Sequence, residues 1–176
     1  MKKILAIAGS NSSKSINFEF INYVKDLIDD HQVEVLDIRK WIVPIYSEDM
    51  DVDNFTPTEI NELINTMPNY DGIIISVPEH NEGPPVFFKN ITDWLSRRSE
   101  NIISGKPLLL LGTTPGRRAA AYSRDYSERT LPRLGANVVA NYGLPSFNHT
   151  MIDGELVPEE QKNLITALTI FLKSLE

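Results

Sequence analysis

A chain of 176 residues, 41% hydrophobic and 23% charged, has the size and composition of one globular domain whose core needs no covalent staple. Its net charge of −7 sets up a field that repels nucleic acid and anionic lipid, and the pairs Arg97-Arg98 and Arg117-Arg118 are too short to form a basic footprint. The absence of cysteine excludes disulfides, thiolate nucleophiles, iron–sulfur clusters and cysteine-bound zinc, so any redox chemistry falls to a bound cofactor.

The chain opens with Met1-Lys2-Lys3 and the apolar run Ile4 to Ala8, which imitates a secretory signal. That run is too short for a signal core and ends at Gly9-Ser10-Asn11 without a convincing cleavage site, so it reads as a buried first strand and the chain as cytoplasmic. Ile16, Phe20, Val24, Leu27 and Ile28 follow at helical spacing. Val33 to Ile38 is a second strand, and Ile60, Leu63, Ile64 and Met67 mark a second helix. Asp71 to Val77 holds Ile73-Ile74-Ile75, a β-branched run suited to a central strand covered on both faces. Phe87, Ile91, Trp94 and Leu95 give a third helix, and Pro107 to Leu111 a fourth strand. Residues 119–135 form the fourth helix, Asn137 to Ala140 a short fifth strand, and Leu164 to Leu175 a closing amphipathic helix.

Strands alternating with helices imply parallel pairing, with right-handed crossovers placing helices on both faces. The expectation is an α/β three-layer sandwich with a five-stranded parallel sheet in the order 2-1-3-4-5. No bilayer-spanning stretch, repeat or interdomain linker interrupts residues 1–176, which read as one domain. A sheet of this order binds its ligand at the carboxyl ends of its strands, beside the switch between strands 1 and 3. The loops after strands 1, 3 and 4 are therefore where chemistry is expected.

The first loop carries Gly9, Ser10, Ser12, Ser13, Ser15, Ile16 and Asn17 at the mouth of a helix, where free N–H groups and the helix dipole favour an anion. It has neither the Gly-x-Gly-x-x-Gly of a dinucleotide site nor the spacing of Walker A. A terminal phosphate monoester fits better, and simple helix capping by Ser or Asn fits equally well. The second loop, Val77 to Pro85, is stiffened by prolines and includes Pro78, Glu79, His80 and Asn81. It reads as a ligand-facing turn or as a rigid connection, and His80 is its one candidate for proton transfer. The third loop, Gly112 to Arg118, holds Thr113, Thr114, Pro115 and Gly116 in a turn able to point N–H groups at a planar ring. Arg117 and Arg118 read as solvated charges or as contacts to a cofactor phosphate. The three histidines, His31, His80 and His149, match no metal-ligand spacing, so no metal is expected.

Taken together, these motifs resemble those of the NADPH-dependent FMN reductases, flavodoxin-like enzymes that include quinone, azo-dye and chromate reductases. Gly9-Ser10 with Ser15 and Asn17 is similar to that family's phosphate loop. Pro78-Glu79-His80-Asn81, Pro84, Lys89-Asn90 and Asp93-Trp94 resemble its most specific segment, and Pro44-Ile45-Tyr46 with Asp49 resembles its long loop after strand 2. Gly105-Lys106-Pro107 and Thr114-Pro115-Gly116 resemble the stretch ahead of its fourth helix. The resemblance implies that Ser10, Ser15 and Asn17 hold an FMN phosphate, that Pro78 to Asn81 (Pro78, Glu79, His80 and Asn81) flank the ring, that Thr114, Pro115 and Gly116 meet its pyrimidine edge, and that Gly9, Ser12, Ile16 and Thr113 also belong to the cofactor site. It also implies NADPH or NADH as donor, hydride transfer through FMN to a quinone, free flavin or azo compound, and a homodimer or homotetramer. Ser12 stands where the family has arginine, His80 where it has tyrosine, and Ala119-Ala120 where Gly-Gly is frequent. Two other readings remain open at this point: a flavodoxin-type electron carrier reduced by a partner protein, and an FMN-binding domain without turnover.

Overall fold

A computed structural model describes residues 1–52, 55–98 and 101–176. Strands and helices alternate along the chain: β1 (Lys3–Ala8), α1 (Ile16–Asp26), β2 (Gln32–Leu36), α2 (Thr58–Thr66), β3 (Gly72–Val77), α3 (Val86–Ser96), β4 (Pro107–Thr113), α4 (Ala121–Thr130), β5 (Asn137–Leu144), α5 (Phe147–Thr150), β6 (Met151–Ile152), β7 (Glu155–Leu156) and α6 (Pro158–Lys173). β1 to β5 pair in parallel in the order 2-1-3-4-5, the arrangement the alternation predicts.

The two-residue period of a strand divides the apolar side chains between two cores. Leu5, Ile7, Ile73, Ile75, Leu108 and Leu110 point to one face, where Ile60 and Leu63 of α2 and Phe88, Ile91 and Trp94 of α3 cover them. Ile4, Ala6, Ile74, Leu109 and Leu111 point to the other face, against Phe20, Ile21 and Val24 of α1 and Leu164, Leu168 and Phe171 of α6. Every residue of β3 is buried, which is why its sequence shows no polar alternation. Each such side chain, fully buried, contributes about 1.5–3 kcal/mol.

The long segment after β2 lies on α3. Asn90 donates its amide to the Val43 and Pro44 carbonyls and accepts the Tyr46 N–H, while the Trp94 indole N–H donates to Pro44. Asp51 then pairs with both Arg97 and Arg98 at the end of that helix.

Four boundaries differ from the sequence expectation. β4 continues to Thr113, and β5 runs to Leu144 instead of stopping near Ala140. The register shifts between Leu108 and Leu109, so Val139 is an extra residue in β5, and pairing resumes beyond it. The expected fourth helix over 119–135 is α helix only from Ala121 to Thr130; Leu131–Leu134 tighten into a 3-10 turn carrying Pro132, and Gly135 at φ 85° ends it. The β6–β7 hairpin, absent from the sequence reading, turns on Asp153 and Gly154, both at positive φ.

Candidate functional site

At the carboxyl ends of β1, β3 and β4 the three expected loops enclose a cleft of about 230 Å³. Depressions of about 240 Å³ beside α3 and α4 and about 310 Å³ beside α1 and α6 are as large, but neither lies at these strand ends. The sheet's switch point makes the first cleft the candidate, because the connections from β1 and β3 leave in opposite directions there.

The β1–α1 loop is held by a relay of short contacts. The Ser12 N–H donates to Ser10 Oγ, the Lys14 N–H to Ser12 Oγ, and the Phe18 N–H to Ser15 Oγ, which caps α1. Each hydroxyl accepts from the backbone and keeps its own O–H to donate. The N–H groups of Ile16 and Asn17, at the first turn of α1, have no protein acceptor among the described residues. The loop therefore caps its helix and still presents unpaired donors, so the two sequence alternatives coexist.

Asn17 forms the floor. Its side chain is 2% exposed and works as a strand neighbour would: Nδ2 donates to the Thr113 carbonyl at 3.1 Å, and Oδ1 accepts the Thr113 N–H at 3.1 Å and the Ser76 hydroxyl at 2.7 Å. One amide thus joins α1 to the ends of β3 and β4. Gly9 is also structural in its contacts. Its N–H donates to Ser76 O, and a Cβ there would lie 2.5 Å from a ring carbon of Phe88.

The β3–α3 loop is a tight hairpin. His80 and Gly83 exchange backbone hydrogen bonds, and Asn81 and Glu82 between them both take positive φ. Pro78 is buried and His80 exposed, and the His80 ring has no hydrogen-bond partner among the described residues. The Glu79 carboxylate accepts the N–H groups of Tyr122 and Ser123, capping α4, whose own cap position is Ala120. Glu79→Ala is expected to cost about 1–2 kcal/mol in chemical unfolding, because α4 loses its acceptor and a favourable charge at its positive end.

The β4–α4 loop begins later than the sequence suggests, since Thr113 belongs to the strand and donates its hydroxyl to Leu144 O. Thr114, Pro115 and Gly116 make the turn. Thr114 Oγ1 donates to Gly116 O, and the Phe147 and Ser146 N–H groups donate to Thr114 O and Gly116 O. Ala119 and Ala120 sit at φ 52° and 56°, so this alanine pair follows a backbone path that glycine would favour. Arg118 pairs with Glu82 across the two loops, an exposed contact of modest energy.

Of the expected residues, Ser10, Ser12, Ser15, Ile16, Asn17, Pro78, Glu79, His80, Thr113, Thr114 and Pro115 line the cleft, whereas Gly9, Asn81 and Gly116 stand behind or beside it. Lys14, which is not among the expected site residues, also lines it and is the one Lys or Arg that does so among the described residues. Its position between Ser12 and Ser15 was the available signal. Among the described residues no group of three or more His, Asp or Glu is arranged to hold a metal ion.

Beside this loop, the Arg39 guanidinium holds the Asp37 carboxyl down at about 2. A lowered folded value means that the pair's contribution is present above the ordinary carboxyl range, near pH 4, and is lost as pH falls toward about 2. The Asp37 side chain is 40% exposed, so screening keeps that contribution under about 1 kcal/mol. Urea midpoints of the wild-type protein and Asp37→Asn are expected to differ at neutral pH and to converge in strong acid.

The sequence carries the same signature. A family model for NADPH-dependent FMN reductases matches residues 2–149. An NAD(P)H-dependent FMN reductase of Pseudomonas aeruginosa is 31% identical over 130 residues, 73% of this chain and 69% of that protein. A quinone reductase of Escherichia coli is 28% identical over 117 residues, 66% of this chain and 61% of that protein. Among solved structures, the flavoenzyme NAD(P)H:(acceptor) oxidoreductase FerB of Paracoccus denitrificans superposes with a TM-score of 0.78 at 23% identity, covering 99% of this chain and 97% of that one, a likeness of fold.

Proposed function

The chain belongs to the NADPH-dependent FMN reductase family, and from that premise we propose that the cleft seats FMN with its phosphate in the β1–α1 loop and passes electrons from NAD(P)H to a small-molecule acceptor. The observation that carries this reading is the pair of acceptor-free N–H groups on Ile16 and Asn17 at the mouth of α1, ringed by serine hydroxyls. That donor set fits a single phosphoryl group. The hydroxyls of Ser10, Ser12 and Ser15 supply neutral donors, and the Lys14 ammonium offsets the charge that a monoester brings.

FMN, when bound, supplies two-electron chemistry between NAD(P)H and the acceptor. The protein's part is binding and orientation. The prolines at 78 and 115 and the hairpin of Asn81 and Glu82 fix two rigid edges, and Asn17 holds those edges at a constant separation by joining Ser76 to Thr113. Among the described residues no side chain in the cleft is arranged as a nucleophile with a base beside it, and none accepts from the His80 ring. The residues around the flavin therefore act as a shaped electrostatic cradle. Its open form suits several flat acceptors, and we assign quinones, free flavins and azo compounds as the class.

We read residues 1–176 as a single flavin-binding domain acting in the cytoplasm as a homodimer or homotetramer. In support, no helix among the described residues is long and apolar enough to cross a membrane. Val86 and Tyr122, 70% and 42% exposed at the helix starts beside the cleft loops, are apolar surface that a neighbouring subunit would cover. Anaerobic addition of NADPH or NADH to FMN-loaded protein is expected to bleach the flavin, with turnover restored by a quinone. Protein that takes up no FMN, or whose FMN stays oxidised with both donors, would remove the proposal.

A further inference from the structure

We propose that Arg39, which lies outside the cleft, is a positioning residue that keeps the phosphate loop in its binding shape by clamping the loop's apex to the first turn of α1. This rests on the reading of that loop as the seat of the FMN phosphate.

The loop's own contacts, Ser10 to Ser12 and Ser12 to Lys14, each span two residues and tie the loop only to itself. Its apex, Ser13, is exposed. Arg39 approaches from just beyond β2, 26 positions away in sequence, and its Nη1 donates to the Ser13 carbonyl at 3.2 Å. The same guanidinium lies over the Phe18 ring, 3.8 Å from its centroid. Phe18 is in the first turn of α1, and its N–H donates to the capping hydroxyl of Ser15. One planar group thus touches the apex of the loop and the turn that carries the cap.

The guanidinium is itself held from behind. Its Nε and Nη2 donate to the two oxygens of Asp37 at 2.8 and 2.7 Å, and Asp37 also accepts the Arg39 N–H at 3.1 Å. The fork sets the plane, and the plane sets the stacking on Phe18. Because Asp37 neutralises the charge, Arg39 adds little field at the phosphate, and its contribution is geometric. A lysine offers a point charge without a fork or a plane, so it cannot replace the clamp. The loop contains no arginine of its own that could substitute.

The test uses flavin-free wild-type protein, Arg39→Ala, Arg39→Lys, Phe18→Leu and the double variant Arg39→Ala/Phe18→Leu, each titrated with FMN and with riboflavin. Arg39→Ala and Arg39→Lys are expected to weaken FMN binding roughly tenfold while riboflavin changes less than about twofold. The double variant should be no weaker than Arg39→Ala, because both substitutions remove the same contact. In the flavin-free protein, the Ser12 and Lys14 amides, which donate within the loop, should exchange faster in Arg39→Ala while those of β3 stay as they are. Unchanged FMN affinity, equal losses for FMN and riboflavin, or full rescue by lysine would overturn the clamp. A wild-type protein that does not prefer FMN to riboflavin overturns the phosphate seat instead, and the exchange measurement still judges the clamp by itself.

Discussion

Asn17→Ala is expected to lower the unfolding free energy by about 3–4 kcal/mol and to abolish measurable FMN uptake, because three buried polar groups lose their shared partner at once. The Ser76 hydroxyl, the Thr113 N–H and the Thr113 carbonyl all bond to this amide, and Ser76 and Thr113 are at most 1% exposed. Asn17→Asp separates polarity from size. Its carboxylate could still accept from Ser76 and Thr113, but a second oxygen would face the Thr113 carbonyl inside the fold, so the variant should fare no better than alanine. Urea denaturation of both variants, with flavin fluorescence as the binding readout, checks the expectation. If Asn17→Asp kept wild-type stability, the amide would not be the joint described here.

Gly143→Ala has the second large effect, a loss of about 3 kcal/mol by overpacking. A Cβ on Gly143 would stand 2.6 Å from the Ala119 carbonyl oxygen and as close to the Arg124 guanidinium. Gly143 is the β5 partner of Gly112 in β4, and a Cβ on Gly112 would meet Ala120 Cβ and the Val77 carbonyl, both at 2.9 Å. This glycine pair leaves a shelf on which the left-handed Ala119-Ala120 segment lies, and Arg124, which donates to Ala119 O and to Asn141, closes it. The segment follows directly on the turn that borders the cleft. Thermal denaturation should therefore show a lower midpoint, and the remaining folded protein should bind FMN more weakly. Glycine at 119 or 120 in the Gly143→Ala background would not relieve a clash with a backbone oxygen, so no rescue is expected there.

Much of the sheet is legible because β1, β3 and β4 are covered on both faces and carry the apolar runs Ile4 to Ala8, Ile73 to Ile75 and Leu108 to Leu111. The order 2-1-3-4-5 points to the carboxyl ends of β1, β3 and β4, and serines of the first loop with Pro78 and Pro115 of the second and third line the candidate cleft there. β5 was read too short because Asn141 and Gly143 break its apolar pattern for reasons outside the strand: one serves Arg124, the other makes room for Ala119. Nothing in an alanine pair announces positive φ, since that conformation is imposed by the shelf beneath it. The role of Asn17 as a joint was hidden for a similar reason. An asparagine in a serine-rich loop reads as a ligand contact, and only the fold shows its partners to be Ser76 and Thr113, 59 and 96 positions away. Arg39 gave no local signal either, because its contacts with Ser13 and Phe18 join segments that the chain holds apart. By contrast, Asp153-Gly154 was a readable turn signal for the β6–β7 hairpin.

A backbone-amide NMR titration of the flavin-free protein, with FMN in one series and riboflavin in another, addresses the phosphate seat most directly. Ile16 and Asn17 N–H resonances should move downfield with FMN and stay nearly in place with riboflavin, as two donors gaining a phosphate acceptor would. Those two resonances remaining fixed while FMN binds and perturbs another part of the surface would contradict the account.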